Sequence, residues 1–161
     1  MKTFQEFMQE SSLSRIKSKS DKGGMAALSA SRADKSAKEN RARAKQLDRD
    51  IRGRGLGGAT KVTGSYVEKG DDGKEKRVKE RSHVVTSGKM GKRKFKKTVK
   101  ALGKKYGQDS VLTQTKKTGT LHRTRKGGLD KKGENVGRFQ PQGKNPYGQS
   151  QIKGKTFAYN K

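Results

Sequence analysis

Apolar side chains recur at a clear helical spacing in one stretch of this chain. Phe95, Val99, Leu102 and Tyr106 stand at i, i+4, i+7 and i+11 within GKRKFKKTVKALGKKY, residues 91–106. That spacing puts them on one stripe of a helix, and Gly107 is placed to end it. A second helix is predicted over 36–52. Ser36 and Glu39 make a capping box, Ala44, Leu47 and Ile51 follow at spacings of three and four, and Gly53 is the stop signal. Two strand-like runs, KVTGSYVEK at 61–69 and RVKERSHVVT at 77–86, flank the turn GDDG. This is a hairpin pattern, in which Asp71 and Asp72 read as turn formers rather than a metal-binding pair. DSVLTQ at 109–114 and TGTLHR at 118–123 predict a second hairpin.

The two ends of the chain differ in character. Residues 1–12, MKTFQEFMQESS, read as an amphipathic helix capped by Thr3 and Glu6, with Phe4, Phe7 and Met8 on one face. Such a face suits docking on another protein or packing on its own domain, and the pattern leaves both open. Residues 13–35 are rich in Ser, Ala and Gly and read as a linker. From 124 to 161 the chain is a basic Gly/Lys/Gln-rich tail, in which VGRF at 136–139 and KTFAYN at 155–160 can form edge strands. The expected fold is α+β: a single domain over 36–123, in the order helix-strand-strand-helix-strand-strand, with a small antiparallel sheet and two helices on one face.

Composition then changes the picture from fold to partner. The 161 residues carry 42 Lys+Arg against 15 Asp+Glu, a formal net charge of +27. A charge of that size on a short chain opposes compaction unless anions screen it. It points to a polyanion, with DNA or RNA ahead of an anionic membrane surface. Hydrophobic residues make up 26% and Trp is absent, so the core is expected to be small. No apolar run approaches the roughly 18 residues of a membrane span.

Candidate chemistry is sparse. Without cysteine, thiolate metal sites and Cys nucleophiles are excluded. His83 and His122 are far apart in sequence, and the acids Glu80, Asp109, Asp130 and Glu134 are scattered among lysines. No triad spacing and no carboxylate cluster of a metal-dependent nuclease is seen. The expectation is therefore no enzyme, no metal and no cofactor. The binding residues are read as Lys92, Arg93, Lys94, Lys96, Lys97, Lys100, Lys104 and Lys105 on the 91–106 helix, a lysine-rich face with no acid beside it in sequence. Lysines neutralise phosphates whatever the base sequence, so sequence-nonspecific nucleic-acid binding is the first reading. Arg52 and Arg54, in RGRGLGG, join it, because Arg-Gly-Arg segments enter narrow minor grooves; a plain helix-to-strand turn is the equal alternative. The formal Gly53-x-Gly55-x-x-Gly58 follows a helix and precedes a strand, the reverse of a dinucleotide site.

Two stretches carry resemblances. MKTFQEFMQESS resembles the capsid-targeting segment of internal head proteins of T-even-type bacteriophages, which implies protease cleavage after Glu10, in Met8-Gln9-Glu10 followed by Ser11. KENRARAKQLDRDIR, GSYVEK, GKKYGQDSVL, NVGRFQPQ and IKGKTFAYN resemble an uncharacterised group of small phage and cyanophage proteins. The second resemblance implies a phage origin and a single domain; the first, joined to the strongly basic body, implies a DNA-associated protein packaged in the virion head. A structural protein contacting capsid or tail subunits, and a host-takeover factor in the host cytoplasm, are the alternatives.

Overall fold

The computed structural model describes residues 16–18, 21–69, 72–116, 118–124, 133–141, 148–152 and 155–160. The readings placed on the first dozen residues (Phe4, Phe7, Met8 and cleavage after Glu10) lie outside them.

The protein is α+β. Strand β1 (Met25–Leu28) precedes helix α1 (Ala37–Gly53), hairpin β2 (Gly57–Lys69) and β3 (Glu75–Thr86), helix α2 (Lys92–Lys105), and hairpin β4 (Ser110–Gln114) and β5 (Gly119–Arg123). Strands β6 (Glu134–Pro141), β7 (Gly148–Ile152) and β8 (Lys155–Asn160) follow. The order helix-strand-strand-helix-strand-strand stands as expected from the apolar spacing. What differs is closure. The eight strands among the described residues form an antiparallel closed barrel in the order β1-β3-β2-β7-β8-β6-β5-β4.

The 13–35 segment supplies the piece that joins the two hairpins, so it is not a plain linker. Met25 to Leu28 pair with Thr86 to His83 on one side, and Met25 to Ala27 pair with Gln114 to Leu112 on the other. Met25, Ala26 and Leu28 are almost wholly buried. A strand covered on both faces shows no polar alternation, so its short MAAL run reads as small-residue filler. The tail closes the barrel through β2–β7, β7–β8, β6–β8 and β5–β6 pairings. Closure removes the free edges that an open sheet leaves for aggregation.

Both helices cover the outer wall near β1. Helix α1 begins on the capping box: Ser36 Oγ accepts from the Glu39 N–H at 3.1 Å, and Glu39 Oε2 accepts from the Ser36 N–H at 2.8 Å. Arg54 caps its end, and Gly55, at φ +75°, makes the left-handed turn that admits β2. Helix α2 has a poor start. Gly91 gives no side-chain cap, and Lys92, Arg93 and Lys94 crowd the positive end of the helix dipole. Packing holds it instead. Phe95, Val99, Leu102 and Tyr106 join Leu47 and Ile51 of α1, Ala26 and Leu28 of β1, Val85 of β3 and Val111 of β4 in one core. Each such side chain stabilises the fold by roughly 1.5–3 kcal/mol, more than the unfavourable helix start costs. Gly103 lets α2 approach β4 closely, since a Cβ there would collide with Val111.

Candidate functional site

Side chains alternate across a strand, so the core on the outer wall fixes what faces the lumen. Ala26, Leu28, Val85 and Val111 point to the helices. Met25, Ala27, Ser82, Val84, Thr86, Leu112 and Gln114 therefore point inward. The register aligns them in rows. Thr86, Met25, Gln114 and Gly119 lie side by side at one end of the barrel, and all four are buried. The next row is Val84, Ala27, Leu112 and Leu121; here Ala27, Leu112 and Leu121 are only half-buried. Beyond it come Ser82 on β3, Ser110 on β4 and Arg123 on β5, with Glu80 one inward position further along β3. One end of the barrel is thus filled by buried side chains; toward the other, Ser82 and Glu80 are half-buried and Arg123 is exposed, beside the buried Val62 of β2. An eight-stranded barrel has an interior that side chains can fill or that holds one small ligand.

On the outer wall, the two histidines lie beneath the helices. His122 pairs across β4–β5 with Val111, and its Nε2 is 2.7 Å from Thr113 Oγ1. Burial, together with the Lys96 and Lys100 charges, pushes its pKa down to about 4. His83 stands opposite Leu28 and is 3% exposed. Burial lowers its pKa, with the Asp48 carboxylate acting weakly the other way. With β1 and β4 between their strands, the two cannot share a ligand, and the described residues hold no group of three His, Cys, Asp or Glu suited to a metal.

The basic residues singled out from the sequence lie on the outer surface, divided between the two helices. Lys92, Arg93, Lys94, Lys96, Lys97 and Lys104 are exposed, and Lys100 is half-buried. Lys105 departs from the expectation of an acid-free face: its Nζ is 2.7 Å from Asp50 Oδ2, supplied by α1. Tyr106 Oη donates to the same oxygen at 2.7 Å. The Lys105 ammonium first, and the Tyr106 hydroxyl next, hold the Asp50 carboxyl below its ordinary range. Burial and the Asp50 carboxylate raise the Tyr106 phenol well above its own. Arg43 completes this helix clasp, donating to Ala30 O at 2.8 Å and Tyr106 O at 2.6 Å. Arg52 is ion-paired with Asp48, one turn earlier on α1, and Arg54 is the exposed helix cap. These contacts hold the helices to each other and to the wall, and none of them reaches the lumen.

Apart from Glu80, sequence reasoning passed over the lumen residues. Ala27, Ser82, Ser110, Leu112, Leu121 and Arg123 are ordinary strand residues, and their only signal is the period-two alternation that assigns them to one face. Glu80 was noted, as one acid scattered among lysines; the barrel register is what brings it to the same end as Arg123.

A protein-family model described as the S-adenosylmethionine lyase family matches residues 26–160. No curated protein matches the chain significantly. The family match overturns the expectation of a non-enzymatic, DNA-binding or structural virion protein, because the family is one of enzymes. The residues misled because charge is legible in composition, whereas the inward faces of distant strands are brought together only by tertiary pairing. The match runs from Ala26 in β1 to Asn160 at the end of β8, through the whole of the closed barrel, and the chain belongs to the S-adenosylmethionine lyase family.

Proposed function

We propose that this chain cleaves the sulfonium centre of S-adenosylmethionine without consuming water, and that the inward face of the barrel contributes to the site. The family match across 26–160 is the observation that carries the reading. A lyase brings no second reactant, so the bond that replaces Cγ–S must be formed within the substrate itself. Two routes meet that demand. Elimination needs a base strong enough to take a proton from Cβ, held against it. Internal displacement needs only that the substrate carboxylate be folded onto Cγ. Both buried histidines sit on the outer wall beneath the helices, away from the barrel interior, which favours the second route.

In that route a carboxylate oxygen forms a bond to Cγ as the Cγ–S bond breaks. The electron pair goes to sulfur, which becomes a neutral thioether. The products are 5′-methylthioadenosine and a five-membered lactone that keeps the ammonium group. No proton is taken up or released, so no side chain has to carry one. The barrel contributes in two ways. Holding the chain in the cyclised shape removes orientational freedom before the reaction, and effective molarities of about 10⁵–10⁸ M are available to well-placed internal nucleophiles. The walls of Ala27, Leu112 and Leu121 also take the reacting charges out of water. The reaction cancels a negative and a positive charge, so a less polar surrounding penalises the ground state more than the transition state.

The test is product analysis with purified full-length protein in water enriched in oxygen-18. Methylthioadenosine together with an unlabelled lactone, and no acid release during cleavage, is the expected result. Label in the first-formed product would assign the chain to hydrolysis. A β,γ-unsaturated amino acid with one proton released would assign it to elimination. Failure to form methylthioadenosine at any enzyme concentration would remove the reading altogether.

A further inference from the structure

Resting on the lyase reading above, we propose that the uncompensated positive field of this protein regulates its own substrate capture: it repels S-adenosylmethionine, and dissolved salt relieves the repulsion. The charge of the substrate carries the idea. Its sulfonium and ammonium are positive and its carboxylate is negative, so the molecule as a whole is a cation. It must approach a chain of formal charge +27. The structure shows why pairing within the fold does not cancel this field. Several of the acids are already taken up by cations beside them: Asp21 by Lys17, Asp34 by Arg32, Asp48 by Arg52 and Asp50 by Lys105. Glu39 is spent on the cap of α1. Helix α2 has no acid anywhere from Lys92 to Lys105, and among the described residues Lys105 is its one ion-paired cation. Lys92, Arg93, Lys94, Lys96, Lys97 and Lys104 stand exposed. The helix dipole adds to them, because the first three sit at its positive end. Solvent ions are what screen such a face.

The field acts on KM and spares kcat. Internal displacement joins a carboxylate to the carbon that a sulfonium leaves, so the net charge of the bound species is the same before and during the reaction. Distant cations therefore raise the bound substrate and the transition state alike, and free substrate feels neither; this is a loss of uniform binding. The products differ from each other. Methylthioadenosine is neutral, whereas the aminolactone keeps a positive charge and is driven out by the same field. A single charge about 20 Å from the substrate, on the order of the size of a chain this long, weakens binding by about 1.4-fold in salt-free water. The Debye length falls from about 30 Å in about 0.01 M salt to about 8 Å in about 0.15 M. The summed repulsion is thus large in the first buffer and small in the second.

The experiment is steady-state cleavage by the full chain from about 0.01 M to about 0.15 M sodium chloride, with calorimetric binding of 5′-methylthioadenosine as the uncharged control. KM should fall by at least about tenfold across this range while kcat stays level. Methylthioadenosine affinity should move less than about twofold. Lys92→Glu, Lys96→Glu and Lys97→Glu combined in one chain should lower KM about threefold in the dilute buffer and by less than about 1.5-fold in the concentrated one. Arginine at the same three positions keeps the charge and should keep KM. A KM that is flat or rises with salt would overturn the proposal, and so would a methylthioadenosine affinity that follows it. A charge-reversed chain indistinguishable from the arginine chain in dilute buffer would overturn the part given to α2. The salt series needs no variant, so it decides the matter even if the glutamate chain folds poorly. If no methylthioadenosine forms at any salt concentration, the lyase reading falls and takes the regulation with it; if cleavage proceeds with a salt-independent KM, the regulation alone falls.

Discussion

Acid should unfold this protein earlier than its carboxylates require, and His122 is the reason. The ring is 4% exposed, and burial with the Lys96 and Lys100 charges lowers its pKa from 6.5 to about 4. Above pH 6.5 the residue is neutral in both the folded and the unfolded chain, and it contributes no pH dependence. Between 6.5 and about 4 the unfolded chain binds a proton that the folded one refuses. Stability therefore falls as pH falls through this window, at about 1.4 kcal/mol per pH unit for a single site, and the whole window amounts to about 3 kcal/mol. That is a large share of the roughly 5–15 kcal/mol by which domains are stable. His83 is shifted in the same direction and adds to the slope. Carboxylates such as Asp50, held below 3.8, stabilise the fold at neutral pH and lose that effect only below this range, so the two contributions separate on the pH axis. Urea unfolding followed by circular dichroism, between about pH 7 and about pH 4.5, measures the slope. His122→Asn should flatten it by about one site's worth of protons. Lys96→Gln with Lys100→Gln should flatten it partly, because removing the like charges lets the folded ring ionise sooner. If the His122→Asn chain loses stability with pH as steeply as the unaltered chain, the assignment of the acid sensitivity to this ring is wrong.

Two further outcomes test the packing. Asp50→Ala removes the acceptor shared by Lys105 and Tyr106 and leaves a buried phenol unpaired; a loss of about 2 kcal/mol in chemical denaturation is expected, and no loss would show that the clasp between the helices is idle. Gly103→Ala puts a methyl group into Val111 and should cost about 1–3 kcal/mol by overpacking, read as a lower melting temperature, whereas Ala at exposed Lys104 should leave melting nearly unchanged.

Local rules carried the elements. The stripe Phe95, Val99, Leu102 and Tyr106, the capping box of Ser36 and Glu39, and the two hairpins are short-range patterns, set by residues within a few positions of one another, and the structure forms all of them. The sequence also determined the charge, and with it the exposed lysines of α2. It could not determine what closes the sheet. MAAL at 25–28 becomes a central strand only because β3 and β4 each lack a neighbour there, and pairing across some 60 or 90 residues leaves no local mark. The tail strands are similar: VGRF and KTFAYN had the composition of edges, and tertiary pairing made them wall. The candidate site suffered most. Ala27, Leu112 and Leu121 share one inward row only after the strands have paired and the pleat has assigned their sides. The charge excess that dominated the sequence lies on the outer surface instead, where it is visible in composition whether or not the reaction uses it.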